Sequence, residues 1–272
     1  MRKSSIVLAV AWLLAALLVP VVVRAEEGEV ITLAVRGDAR QRILLLRPKE
    51  TPVATVVLYS GGKGNIGIKP DGNIENGGNF LVRSRALFAK QGFLVAVVDR
   101  PSDWAGADSE TFRLTPAHAE DAAAIAKSLR DRAQLPIWFV GTSGGTISIA
   151  SIASRLGREL ISGIVLISSV TGVGKSSPQT VQDADLSGIA VPVLILGHGN
   201  DDCRVTPWPE QEELAGRFRG SPSVETVRID GGDAGDMSSP CGPFSHHGFL
   251  GQEERVVSRI ADWIKRHVQG RR

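Results

Sequence analysis

The chain repeats one unit: a short apolar run rich in β-branched residues, then a longer segment whose apolar residues recur at helical spacing. The runs are "EVITLAV", "RILLLRP", "ATVVLYS", "FLVAVVDRP", "PIWFVG", "SGIVLISS", "VPVLILGHG" and "VETVRID". Most are apolar at consecutive positions, as a strand covered on both faces must be, whereas a half-exposed strand alternates. Helical spacing occupies Asn79 to Gln91, Pro116 to Arg132, Gly145 to Arg155, Pro209 to Arg219 and Glu253 to His267. Thr115 precedes the second of these as an N-cap, with Pro116 at the first helical position. The alternation predicts an α/β fold with a mostly parallel, doubly wound sheet. The first two runs open it as an antiparallel hairpin, and the loops at the carboxyl ends of the strands carry the function.

No Pro/Gly/Ser-rich linker interrupts this rhythm, so Glu26 to Arg272 reads as one domain. Ahead of it, Arg2 and Lys3 precede an apolar run from Ile6 to Val23 and then "VRAEE". Residues 1–25 read as a secretory signal cut after Ala25, with an uncleaved membrane anchor or a buried helix as the alternatives. Export to the periplasm or the medium is the expectation, with no stable membrane insertion once the signal is cut. Cleavage removes three of the 31 basic residues and none of the 29 acidic ones. The remaining chain is near neutral, and nothing in its charge calls for a nucleic acid or an anionic surface.

Cys203 and Cys241 are the two cysteines, both in the exported part and neither in a zinc-binding spacing. A disulfide is the expectation in an oxidising compartment, with two free thiols as the alternative.

Two intervals bear on the site. Gly61 to Asn79 holds seven glycines directly after a predicted strand, the mark of an ordered functional loop. Between the strands ending near Val170 and starting near Val191 lie only about twenty residues, too few for a large lid domain.

Gly141-Thr142-Ser143-Gly144-Gly145 stands between a predicted strand and a predicted helix and fits G-x-S-x-G. Glycines at both ends relieve crowding where a strand turns sharply into a helix, and the turn thrusts the serine oxygen above the sheet. The alternative is a serine in a tightly packed turn. A serine hydroxyl needs a base within hydrogen-bond reach, itself oriented by a carboxylate. "HGNDDCRVTP" follows a buried strand at the same sheet edge and offers Asp201 and Asp202. Asp202, immediately before Cys203-Arg204-Val205, is preferred because such loops commonly place the acid there, with Asp201 as its competitor. Of the five histidines, His118, His198 and His267 read as structural or solvated. His246 and His247 lie between the last strand and the final helix, and His247 is preferred as the base because His-Gly-Phe before a terminal helix resembles a recurring base-bearing segment. Asp99, at a strand end, reads as a loop anchor.

The order Ser143, Asp202, His247, each after a successive strand, resembles the alpha/beta hydrolase superfamily over nearly all of the exported chain. The resemblance implies a serine hydrolase acting through an acyl-enzyme, with esters as the default substrate class and peptides, amides or thioesters as variants. It implies an oxyanion hole from the backbone N–H groups of Gly144 and Gly62. Ser60-Gly61-Gly62 departs from the usual His-Gly start of that loop, so Lys63 is an alternative donor. A Cys203–Cys241 bridge then ties the acid loop to the histidine loop. The expected partner is a small-molecule or acyl substrate, and no cofactor is expected. A non-catalytic binding protein on the same fold is the competing reading. A metal site near "SHHG", Asp233 and Asp236 is weaker, since no second ligand motif has a diagnostic spacing.

Overall fold

The computed structural model describes residues 28–104, 111–174 and 177–270. The expected signal segment lies outside them. All eight apolar runs form strands: β1 (Glu29–Arg36), β2 (Ala39–Leu46), β3 (Ala54–Tyr59), β4 (Phe93–Val98), β5 (Ile137–Thr142), β6 (Gly163–Ile167), β7 (Val193–His198) and β8 (Val224–Ile229). They make one sheet in the order β1-β2-β4-β3-β5-β6-β7-β8. β1 pairs antiparallel with β2, and β2 antiparallel with β4. From β4 across to β8 every pairing is parallel.

The helices are α1 (Phe80–Arg83), α2 (Arg85–Lys90), α3 (Pro116–Ala133), α4 (Gly144–Leu160), α5 (Trp208–Leu214) and α6 (Glu253–Gln269). Alternate residues of each buried strand feed two cores. In β4, Leu94, Ala96 and Val98 join residues of α3 and α4 on one face, while Phe93, Val95 and Val97 join Phe88 of α2 and Trp263 of α6 on the other. Both faces are dry, which is why the strands read as unbroken apolar runs. Thr115 caps α3 as expected, its Oγ1 accepting from His118 N at 3.3 Å, with Pro116 in the first turn.

Two expectations need revision. The helix expected over Asn79 to Gln91 is broken at Ser84, which lies beside Arg83, whose guanidinium is drawn to the carbonyls of Gly78 and Gly248. The helix expected over Pro209 to Arg219 tightens after Leu214 into a 3-10 turn, Ala215–Arg217. Between β6 and β7 the described residues form only two 3-10 turns, Val181–Asp183 and Leu186–Gly188, and no lid domain. No helix among the described residues is long and apolar enough to cross a membrane.

Candidate active site

β5, the strand between β3 and β6, ends at Thr142, and the next residue turns the chain into α4. Ser143 occupies that turn at φ 50° and ψ −127°, a left-handed-side conformation that costs a non-glycine residue on the order of 1–3 kcal/mol. Its N–H donates to Ile167 O at 2.9 Å, tying the turn to the end of β6. The flanking glycines are required by space. A Cβ on Gly145 would collide with the carbonyl of Tyr59, and one on Gly141 would lie 2.5 Å from Gly145 O.

His247 lies in a 3-10 turn, His246–Gly248, just ahead of α6, and its side chain is 5 % exposed. Its Nδ1 lies 2.9 Å from Asp201 Oδ2. An ionised carboxylate only accepts, so the pairing puts the ring proton on Nδ1 and leaves the lone pair on Nε2. Thr206 Oγ1 donates to the same Asp201 oxygen at 2.8 Å and lies 3.1 Å from Nδ1. Cys203 N donates to the other oxygen, Oδ1, at 3.0 Å.

The aspartate that meets His247 is therefore Asp201 and not the expected Asp202. The loop after β7 turns through Asp201 N donating to His198 O, which directs the Asp201 side chain inward and leaves Asp202 exposed. Of the two neighbouring histidines, His247 is the one beside that carboxylate. His246 stacks on the His198 ring with centroids 4.4 Å apart, and His198 is itself held by Gly231 O and Asn200 N. His118 is buried and packs among Tyr59, Trp104 and Phe112.

Cys203 and Cys241 form a disulfide. It joins the loop that carries Asp201 to the loop that carries His247, and Cys241 also lines the cavity at the site. Asp201, Cys203 and His247 cluster closely enough for a metal, but Cys203 is bound to Cys241 and the other two pair with each other. Asp233 and Asp236, considered with "SHHG" as metal ligands, cap exposed turns at Gly235 N and Ser238 N.

Ser143 and His247 line one cavity of about 370 Å³. Its opposite wall is the glycine-rich loop, which contributes Gly61, Gly62, Lys63, Asn65, Asn76 and Asn79. Asp99, at the end of β4, accepts backbone N–H bonds from Ile66, Gly67 and Ile68 at 2.8–3.3 Å and anchors that loop as expected. Of the expected oxyanion donors, Gly62 lines the cavity and Gly144 opens α4.

Thr206 and Arg83 were not legible as contributors: Thr206 lies 41 positions from His247, and Arg83 lies 165 positions from Gly248 and 170 from Glu253. Arg83 joins Gly78 O at the loop's end to Gly248 O beside His247 and to Glu253 of α6, at 2.6–3.0 Å. Trp104 and Arg113 are buried beneath the loop, and residues 105–110 between them lie outside the described residues.

Comparison with solved structures gives the fold its class. Est1E from Butyrivibrio proteoclasticus superposes with a TM-score of 0.61 at 14 % identity, covering 89 % of this chain and 99 % of that one. The Pyrococcus furiosus esterase Pf2001 gives 0.63 at 15 % identity, over 89 % of this chain and 93 % of that one. XC6422 from Xanthomonas campestris, described as an α/β serine hydrolase without lid, gives 0.56 at 14 % identity, over 90 % and 95 %. Neither a protein-family model nor a curated protein sequence matches the chain. The fold is that of the alpha/beta hydrolases. Within that class it is a form with no lid domain among the described residues.

Proposed function

We propose that the protein is an exported serine hydrolase that cleaves esters or related acyl bonds, with Ser143 as nucleophile, His247 as base and Asp201 as the acid that orients it. One observation carries the reading: a serine held at a strained strand-to-helix turn and a carboxylate-oriented histidine line the same cavity. His247 Nε2 takes the proton from Ser143 Oγ as the oxygen attacks the acyl carbon, and the carbonyl electron pair moves onto its oxygen. The tetrahedral anion collapses to the acyl-enzyme, and the leaving alkoxide departs as an alcohol with the proton from His247. Water, deprotonated by the same nitrogen, then releases the acid. Backbone N–H groups at Gly144 and Gly62 are assigned to the oxyanion.

The absence of a lid domain among the described residues leaves the cavity suited to bulky or extended acyl donors. Export is supported by the disulfide and by the apolar segment behind Arg2 and Lys3. A fluorophosphonate probe tests the reading. The wild type is expected to be labelled and Ser143→Ala to be inert; a folded wild type that resists labelling and turns over no p-nitrophenyl ester marks a binding protein instead.

A further inference from the structure

Arg113 is buried, at 4 % exposure, and makes no ion pair with any carboxylate among the described residues. Burial alone lowers its pKa to about 10, so it remains a cation at neutral pH. A buried charge is costly where no counter-ion stands among the described residues, and the contacts of this one show where its donors are directed. Nη2 donates to Gly62 O at 2.7 Å, and Nη1 donates to Ser148 Oγ at 2.6 Å. Ser148 lies on α4, the helix that starts at the nucleophile, whereas Gly62 lies on the loop across the cavity. A Cβ on Gly144 would lie 3.1 Å from Gly62 O and 3.5 Å from Arg113 Nη2, so the guanidinium stands directly behind the junction of the two segments. Trp104 packs on it, with its ring centroid 5.5 Å from Cζ.

We infer that Arg113 is a positioning residue for the oxyanion hole, locking the Gly62 loop to the nucleophile helix and placing a fixed positive charge behind the two donors. The inference rests on the serine-hydrolase reading. Its physical basis is the instability of a Gly-Gly loop. Gly62 sits at φ 57° with open space around its missing Cβ, so the flanking peptides are free to rotate unless something holds them. Gly64 N donates to Gly61 O at 3.1 Å and fixes the peptide that carries the Gly62 N–H. Arg113 fixes the next peptide, which carries the Lys63 N–H. Released, that peptide can turn the Gly62 carbonyl toward the site, setting a negative dipole where negative charge develops. The loop's own turn therefore presets the Gly62 N–H and the guanidinium presets the Lys63 N–H beside it, and a preset donor is worth most where no reorganisation is needed during reaction.

The test compares wild type, Arg113→Ala, Arg113→Lys and Ser148→Ala. The readouts are p-nitrophenyl acetate turnover, fluorophosphonate labelling rate and affinity for phenylboronic acid, which mimics the tetrahedral adduct. Arg113→Ala is expected to lose about 100-fold in kcat and in labelling rate with KM within about 3-fold, and boronate affinity should fall in parallel. Lysine should restore part of the loss, because one ammonium cannot bridge both acceptors. Added guanidinium should rescue Arg113→Ala but not Ser143→Ala. Folded variants with kcat, labelling rate and boronate affinity all within about 3-fold of wild type would overturn the inference while leaving the hydrolase reading intact. If Arg113→Ala does not fold, Arg113→Lys and Ser148→Ala carry the same decision. A wild type that is neither labelled nor active overturns the hydrolase reading itself.

Discussion

Asp201 Oδ2 lies 2.9 Å from His247 Nδ1, and Thr206 Oγ1 reaches both atoms, at 2.8 and 3.1 Å. The carboxylate is held on its other oxygen by Cys203 N, so it has one rotamer to offer the ring. Asp201→Asn should therefore reverse the ring tautomer and cut kcat by roughly 10³- to 10⁴-fold. Asp202→Asn, at an exposed position, should stay within about 2-fold of wild type. Steady-state ester hydrolysis by the two variants checks the assignment, and equal losses would refute it.

Thr206 donates a hydrogen bond to Asp201 and so holds that carboxylate against His247. Thr206→Val keeps the shape and removes the donor. A fall in kcat of about 10-fold with little change in KM is expected, with wild-type behaviour restored in Thr206→Ser.

The Cys203–Cys241 bridge spans 38 positions and joins the acid loop to the histidine loop. Its chain-entropy contribution is about 4 kcal/mol, equivalent to a melting shift of about 10 °C. Mild reduction should lower activity before the far-UV circular dichroism changes, because the two loops separate before the sheet does. A verified Cys203→Ser/Cys241→Ser variant with full activity would contradict this.

Gly145 has no room for a side chain, since a Cβ there meets the Tyr59 and Ser60 carbonyls at the end of β3. Gly145→Ala should destabilise the fold by about 1–3 kcal/mol and displace Ser143 enough to abolish labelling. Urea titration and probe labelling of one preparation separate the two effects.

Burial lowers the His118 pKa to about 3, with Arg113 and Arg36 adding to the shift, while an unfolded histidine titrates near 6.5. Between those values the unfolded chain binds the extra proton, so stability should rise with pH across this window and be lost as pH falls from about 6.5 toward 3. Asp121, raised to about 6 by burial, acts in the opposite sense over the upper part of that range. His118→Phe should shrink the drop in Tm between pH 7 and pH 4 by an amount on the order of 5 °C. An unchanged drop would count against a buried neutral histidine.

The eight strands were legible, and so were the helical segments apart from the break at Ser84 and the tightening after Leu214, because each depends on a local pattern. An apolar run buried on both faces has one period, an amphipathic helix another, and Thr115-Pro116 marks a start. The turn at Ser143 was legible for the same reason, since crowding at a strand-to-helix corner selects glycine at fixed offsets. The expectation that the Gly61–Asn79 loop is ordered came from its composition, and Asp99 supplies the anchor that orders it.

Local pattern could not choose between Asp201 and Asp202. They are chemically identical neighbours on one loop, and only the turn through Asp201 N and His198 O, with the fold bringing His247 to that side, sends one inward and the other to solvent. Arg113 had the same ambiguity in the opposite sense. Nothing local marks it as buried, yet the fold holds it against Gly62 and Ser148, 51 and 35 positions away. By itself, then, the sequence determined the alternation of elements, the strained serine turn and the candidate partners after successive strands. Tertiary structure alone decided which aspartate meets His247 and what holds the glycine-rich loop, because those outcomes depend on side-chain direction and on contacts between segments that no short-range periodicity encodes.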